Sequence, residues 1–273
     1  MFTHLSVSSA FSFKYGTTQP QDLIARASEF GAPALAITDR DSLAGVIRFV
    51  QAAKDFGIAP IVGINLQIDK VNKDRVLLLA QSDGGWRSLC RLLSALRTNR
   101  EAPVLHLEKI KELSQYTQNL ILFHGSESSI AKAITKHRPD IALSEFNKYR
   151  PYFADSAIEC VSHLVAGDGP RSTSHAARML GFARDHDLPA ILTNSVRMLD
   201  RSDAPISDVL DSARKLRPLD KRHIERRNSE AFLKSRDEMV ALADEISRSA
   251  GERNGRALLK STHELAMRSI LSP

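Results

Sequence analysis

Three short stretches hold most of the side chains in this sequence that could do chemistry together: His4-Leu5-Ser6-Val7-Ser8-Ser9, Thr38-Asp39-Arg40-Asp41 and Val62-Gly63-Ile64-Asn65. Each sits at the end of an apolar run, and in parallel α/β folds the reactive side chains gather where strands end. The imidazole of His4 and the carboxylates of Asp39 and Asp41 are groups able to hold one weakly bound ion. Each also has a structural reading: His4 as a partly buried ring bonded to backbone, Asp39 as the cap of the following helix or the partner of Arg40. His124, at another strand end, reads as structural.

Other patterns fall short of catalysis. Gly125-Ser126-Glu127-Ser128 has no matched base and no strand–turn–helix elbow. Val165-Ala166-Gly167-Asp168-Gly169-Pro170 lacks the Lys-Ser/Thr ending of a phosphate loop and reads as a turn. His163, His175 and His186 do not fall at a metal-ligand spacing. The strongest charge feature is the basic run from Lys215 to Arg227, in which Lys and Arg outnumber the two acids Asp220 and Glu225. Lys221, Arg222, Arg226 and Arg227 are its candidate phosphate contacts, on DNA; a solvated connector or a contact with another protein is the alternative. The run has no interleaved aromatics, which argues against a base-stacking platform. The net charge of +6 favours acidic partners such as nucleic acid.

The elements that must position these groups alternate strand with helix. Leu23, Ile24, Ala27 and Phe30 fall at helical spacing between Thr18 and Gly31, and Ala34–Thr38 has the length of a buried strand. A helix over about 42–56 and a strand over 58–64 follow, and two such units with doubly apolar strands predict a parallel sheet covered by helices. Further strands are expected over 75–81, 119–123, 156–165 and 189–193. Helices are expected over 84–96, 107–113, 130–135 and 173–185. Beyond Ser202 the pattern is helical, over about 202–216, 229–246 and 254–270. Six or seven strands separated by helices predict an α/β barrel or an open doubly wound sheet. Residues 1–200 read as the core and 201–273 as a helical extension closing the same domain. Cys90 and Cys160 read as buried free thiols of a reducing compartment. Residues 1–15 lack the pattern of a signal peptide and no run is long enough to span a bilayer, so a soluble cytoplasmic protein without membrane partners is expected.

The stretch FTHLSVSSAFSFKYGTTQPQDLIARASEFGAPALAITDRDSLAGVIRFVQAAKDFGIAPIVGINLQI resembles the start of the PHP (polymerase and histidinol phosphatase) domain, in the version that opens the bacterial DNA polymerase III alpha subunit. GWRSLCRLLSA at 85–95, ILTNSVRMLDRSDAPISDVLDSARKLRPLD at 191–220 and FLKSRDEMVALADEI at 232–246 resemble later segments of the same domain, in order and over essentially the whole chain. The resemblance implies a distorted (β/α)7 barrel with a C-terminal helical extension. It also implies a cluster of about three metals (Zn, Mn, Mg or Fe) that hydrolyses phosphoesters by polarising phosphate and activating water.

At the positions where the family carries ligands this sequence departs from the pattern. The two histidines of H-x-H are matched by Ser6 and Ser8, the next acid by Tyr15, the histidine of T-D-H by Arg40, a glutamate by Asn65 and a cysteine by Ser126. The late D-x-H is matched by Ser195 and Arg197. Neutral hydroxyls are poor ligands and a guanidinium stays charged and repels a metal, so the site is expected to lack its metals, with Arg40 in the vacant cation position. Two functions of different class follow. One is a non-catalytic structural domain, stand-alone or truncated, of a replicative or error-prone polymerase, partnered by a polymerase body, replisome subunits or DNA. The other is a residual PHP phosphoesterase or 3′–5′ exonuclease. The polymerase palm implied by the resemblance has no counterpart in these 273 residues.

Overall fold

A computed structural model describes residues 2–97, 102–224 and 226–271. Six strands form one sheet in sequence order: β1 (Ala34–Ile37), β2 (Ala59–Gln67), β3 (Arg75–Ala80), β4 (Leu120–His124), β5 (Asp155–Val161) and β6 (Ala190–Thr193). β1 and β2 are parallel, as are β4, β5 and β6, but β3 runs antiparallel to both neighbours. This corrects the expectation of an all-parallel sheet. β2 and β3 are joined directly through residues 68–74, where Asp69 Oδ1 accepts from the N–H groups of Val71 and Asn72, a turn that leaves no room for a crossover helix.

The sheet curls, and the N-terminal segment spans its two edges. Ala36 N donates to His4 O (2.9 Å) and Thr38 N to Val7 O (2.8 Å) on one side. Val196 N donates to Ser6 O (2.8 Å) and Ser8 N to Val196 O (2.8 Å) on the other. That segment takes the seventh place of the expected barrel, with Val7 bridged in parallel to Val196.

Alternation along the strands divides their side chains between an inner cluster and outer helical layers. Leu5, Ala36, Ile61, Leu77, Leu79, Ile121, Phe123, Ala157 and Ile191 share one buried cluster, joined by Leu265 and Ala266 of α10 (Arg256–Arg268). That helix lies against the strand starts: Thr262 Oγ1 accepts from Leu192 N, and Leu271 N donates to Pro60 O. The outer faces pack on α1 (Pro20–Glu29), α2 (Val46–Phe56) and α3 (Ser82–Leu96) around Leu35, Val62 and Leu78. Around Ile158, Cys160 and Leu192 they pack on α5 (Ser129–Thr135), α6 (Pro139–Tyr149) and α7 (Thr173–Asp185). The short α4 (Leu107–Glu112) adds Ile110 to the first of these outer clusters, and α8 (Ala204–Lys215) carries Ser207, Asp211 and Arg214 to the opposite end of the barrel. With the strand starts covered, the open end of the barrel is the one where β1, β4, β5 and β6 finish.

Two further expectations are revised. α6 has no counterpart in the sequence reading. The helix expected over 229–246 is α9 (Arg236–Ser249), started by a capping box in which Ser235 and Glu238 bond each other's backbone N–H. Residues before it run extended, with Arg197 N donating to Ala231 O and Leu233 N to Met198 O. Cys160 is buried and Cys90 half-buried, both free. Among the described residues no helix is long and apolar enough to cross a membrane.

Four histidines, His4, His124, His163 and His175, are buried, and burial favours the neutral ring at each. Burial lowers His4 to about 4, His124 to about 3 and His163 to about 3, from an ordinary value of 6.5. Between those values and 6.5 the unfolded chain binds protons that the folded one refuses, so stability falls as pH drops through that window. Urea unfolding at pH 5 against pH 7 should show a loss of roughly 1–2 kcal/mol per histidine, and His124→Phe should reduce the loss. An unfolding midpoint that does not move between the two pH values contradicts this burial.

Candidate functional site at the barrel mouth

The loop after the N-terminal segment is anchored by Asp39. Its Oδ1 accepts from Ser9 N (2.6 Å) and Ser12 Oγ (2.7 Å), and its Oδ2 from Ser9 Oγ (2.8 Å). Burial raises this carboxyl above its ordinary value, an effect the three bonds only partly offset. Asp39 therefore neither pairs with Arg40 nor caps α2, whose N-terminus at Gly45 has no side-chain cap. It ties down residues 9–12, and so places Tyr15.

Arg40 turns away from Asp39. Its Nη2 donates to both Glu127 oxygens (2.8 and 2.7 Å), and its guanidinium carbon stands 3.5 Å from the centre of the Tyr15 ring. The Arg197 guanidinium carbon stands 4.2 Å from the same ring. The Tyr15 ring thus packs against two guanidiniums. The network continues on both sides. Arg171 Nη2 donates to Glu127 Oε1 (2.9 Å). Arg197 donates to both Asp211 oxygens (3.1 and 3.2 Å) and to Tyr15 O (3.0 Å), and Arg214 adds a bond to Asp211 (2.6 Å).

The electrostatics follow from this wiring. Burial alone would raise the Glu127 carboxyl, but Arg40, Arg171 and Arg75 hold it down at about 2. Burial disfavours the Arg40 charge, and Glu127 more than compensates, so the guanidinium stays firmly protonated. The Tyr15 phenol is drawn below its ordinary value by Arg40, Arg171 and Arg197 in spite of burial.

The remaining positions take separate partners. Asn65 Oδ1 accepts from Arg75 Nε (2.5 Å), and Arg75 Nη2 also donates to Asp41 Oδ1 (2.8 Å). His4 Nε2 bonds Lys234 O (2.9 Å) and lines a different cavity, beside Phe2 and Leu233. So His4, Asp39 and Asp41 do not form one ion site. Ser6 hydrogen-bonds Glu159, a buried carboxyl on β5 that also accepts from Thr193 Oγ1 (2.5 Å) and is raised by burial. Ser8 is buried and Ser126 lies half-exposed on the mouth. A Cβ on Gly125 would sit 1.8 Å from Glu159 Oε2, so the close approach there needs glycine.

The basic run divides. Arg226 pairs with Asp208 through two bonds of 2.7 Å and reaches the mouth, as does Arg227. Arg222 pairs with Asp220 two residues away and stays exposed. The Lys221 side chain lies outside the described residues, as does Glu225.

The donors present do not fit a metal cluster. At the positions where the resemblance implies ligands, two carry guanidiniums (Arg40 and Arg197), five carry hydroxyls (Ser6, Ser8, Tyr15, Ser126 and Ser195) and one the Asn65 amide, and both Glu127 oxygens are taken by arginine. Among the described residues no group of three or more His, Cys, Asp or Glu is placed to hold a metal ion.

The sequence model of the PHP domain matches residues 4–163. The chain belongs to the PHP domain family. Its relatives include the error-prone DNA polymerase of Symbiobacterium thermophilum, 30% identical over 88% of this chain and 23% of that protein. The DNA polymerase III subunit alpha of Buchnera aphidicola is 28% identical over 90% of this chain and 21% of that protein. The chain thus spans less than a quarter of the length of these relatives. Among solved structures, a two-domain protein from Bacteroides vulgatus containing a predicted PHP-like metal-dependent phosphoesterase aligns at a TM-score of 0.46 and 12% identity, over 85% of this chain and 63% of that one.

Sequence reading missed Glu127, Arg171, Arg75, Asp211 and Glu159. Glu127 stood in a stretch judged only as a nucleophile motif, and an ion pair between residues 40 and 127 leaves no periodic signal.

Glu127 supplies a direct test. A carboxyl held at about 2 against an ordinary 4.5 stabilises the fold above about pH 4.5 and loses that contribution as pH falls toward 2. The side chain is 35% exposed, so solvent screening discounts the effect. Glu127→Gln should cost about 1–2 kcal/mol at pH 7, and its difference from wild type should shrink as pH falls through that window. Equal stability of the two proteins at pH 7 refutes the assignment.

Proposed function

We propose that this chain is a catalytically silent PHP domain working with a polymerase of the DNA polymerase III alpha or error-prone type, in DNA replication or translesion synthesis in the cytoplasm. The observation that carries the reading is Arg40: a permanent cation, paired to Glu127 and stacked on Tyr15, stands where the family has a metal-ligating histidine. A metal ion placed beside it would meet like charge and would have to displace arginine from Glu127. Support for the polymerase context comes from the relatives' names and from the match extending along nearly all of this chain. In this reading the domain is a scaffold, its partners are a polymerase body, replisome subunits or DNA, and it uses no metal cofactor.

Elemental analysis of the purified protein after exposure to Zn, Mn and Fe, beside phosphatase and 3′–5′ exonuclease assays, tests this reading. We expect well below about 0.1 metal ion per chain and no chelator-sensitive activity. Stoichiometric metal with phosphoester cleavage abolished by a chelator would replace it with a residual PHP phosphoesterase.

A further inference from the structure

Helix α8 is turned inside out. An amphipathic helix ordinarily buries its apolar side, but here Ser207, Asp208 and Asp211 face the barrel, where Arg226 holds Asp208 and Arg197 and Arg214 hold Asp211. Ile206, Val209, Ala213 and Leu216 fall on one helical face and stand exposed. The ion pairs fix this orientation. Rolling the helix to bury its apolar side would pull Asp211 away and leave the buried Arg197 charge unpaired.

The apolar stripe extends beyond the helix. Phe13, 79% exposed on the N-terminal loop, lies beside it: the Lys14 ammonium stands 5.2 Å from the Phe13 ring centre and 3.3 Å from Ala213 O. Leu216, 88% exposed, ends the helix in the left-handed conformation (φ 53°), where glycine is favoured and leucine is strained. A strained residue that also holds an apolar side chain in water does nothing for the stability of the chain alone. Clustered exposed apolar side chains mark contact surfaces.

The charge around the stripe narrows what can cover it. Arg214 and Arg217, exposed next to Ala213 and Leu216 in the chain, edge it with Lys14, while Asp208 and Asp211 lie on the buried side. Burial and the Arg214 and Arg217 charges lower the Lys215 ammonium below its ordinary value in spite of Asp211, so the surplus is positive. A second copy of this chain, itself at +6, would bring like charge to like across a two-fold contact. Nucleic acid would meet the cations and leave Phe13, Val209 and Leu216 in water. An acidic amphipathic helix satisfies both, with its apolar ridge on the stripe and its carboxylates on the cations.

We propose that the outer face of α8, together with Phe13, is a docking surface for an acidic amphipathic helix of a partner polypeptide. This deepens the scaffold reading and rests on it for a protein partner. It is independent of the metals, because none of these apolar side chains lines the mouth.

The test is selection from a displayed library of helical peptides of about 16 residues, apolar along one fixed stripe and randomised elsewhere, on the whole chain at low salt. Enriched peptides should be acidic beside their apolar stripe and should bind in solution with salt-sensitive affinity. Leu216→Gly removes the exposed side chain and relaxes the left-handed cap, so it should unfold in urea no earlier than wild type and still weaken those peptides about tenfold. Val209→Ser should weaken them too, and Arg217→Glu should weaken acidic peptides more than neutral ones with the same apolar positions. The docking surface is refuted if no peptide is enriched, if the enriched peptides are basic or neutral, or if Leu216→Gly and Val209→Ser bind them like wild type. Phosphatidylserine vesicles, duplex DNA and sedimentation of the chain alone close the other routes. Binding or self-association there that Leu216→Gly abolishes, in place of peptide binding, overturns the proposal in favour of a membrane, a nucleic acid or a second copy. Metal content of the same preparation is read separately: stoichiometric metal with chelator-sensitive cleavage overturns the catalytically silent reading and leaves peptide binding at α8 standing, whereas a metal-free protein that binds no peptide overturns the docking surface alone.

Discussion

A buried guanidinium cannot be discharged, so the fold must supply it with an anion. Arg40 imposes that constraint on the mouth of this barrel. Removing a charge from water costs several kcal/mol, which only close, well-directed partners offset. Glu127 supplies two bonds and Tyr15 a π face, and each of these partners commits others. Glu127 draws in Arg171 from the loop before α7, and the Tyr15 ring also packs against Arg197, which must in turn find Asp211 on α8. One cation thus links the ends of β1, β4 and β6 with the N-terminal loop. A metal cluster does the same mechanical work in a metal-competent PHP site by drawing ligands from several strand ends together.

The frame beneath does not depend on that substitution. The barrel is closed by backbone bonds from residues 4–8 to both sheet edges, filled by apolar side chains of every strand, and covered at the strand starts by α10. Asp39 belongs to the frame as much as to the site, because its three bonds fix the loop that carries Tyr15. Side chains at the mouth can therefore exchange one chemistry for another while the fold stays recognisable as PHP.

Much of the frame was legible in the sequence because burial on both faces writes itself as short apolar runs: Ala34–Ile37, Arg75–Ala80 and Ala190–Thr193 all lie where expected. Strand direction was not, since an apolar run looks the same either way, and the reversal of β3 depends on the Asp69 turn. α6 escaped notice because only Ala142 and Phe146 are buried along its length. Residues 229–234 mimic a helix by composition but are held extended by backbone bonds to 197–198, a tertiary effect that local pattern does not carry. At the site, the positions of Ser6, Ser8, Tyr15, Arg40, Asn65 and Ser126 came from motif alignment, while the partner of Arg40 did not. Asp39 was the nearest acid in sequence; Glu127 is the partner in space.

Arg40 and Glu127 hold the mouth together as a pair. A double-mutant cycle with Arg40→Gln, Glu127→Gln and the double variant, read by urea unfolding in the presence of a chelator at pH 7, measures that coupling directly. A coupling of about 1–3 kcal/mol is expected, with the double variant more stable than the two single losses summed would make it. A coupling indistinguishable from zero would contradict it.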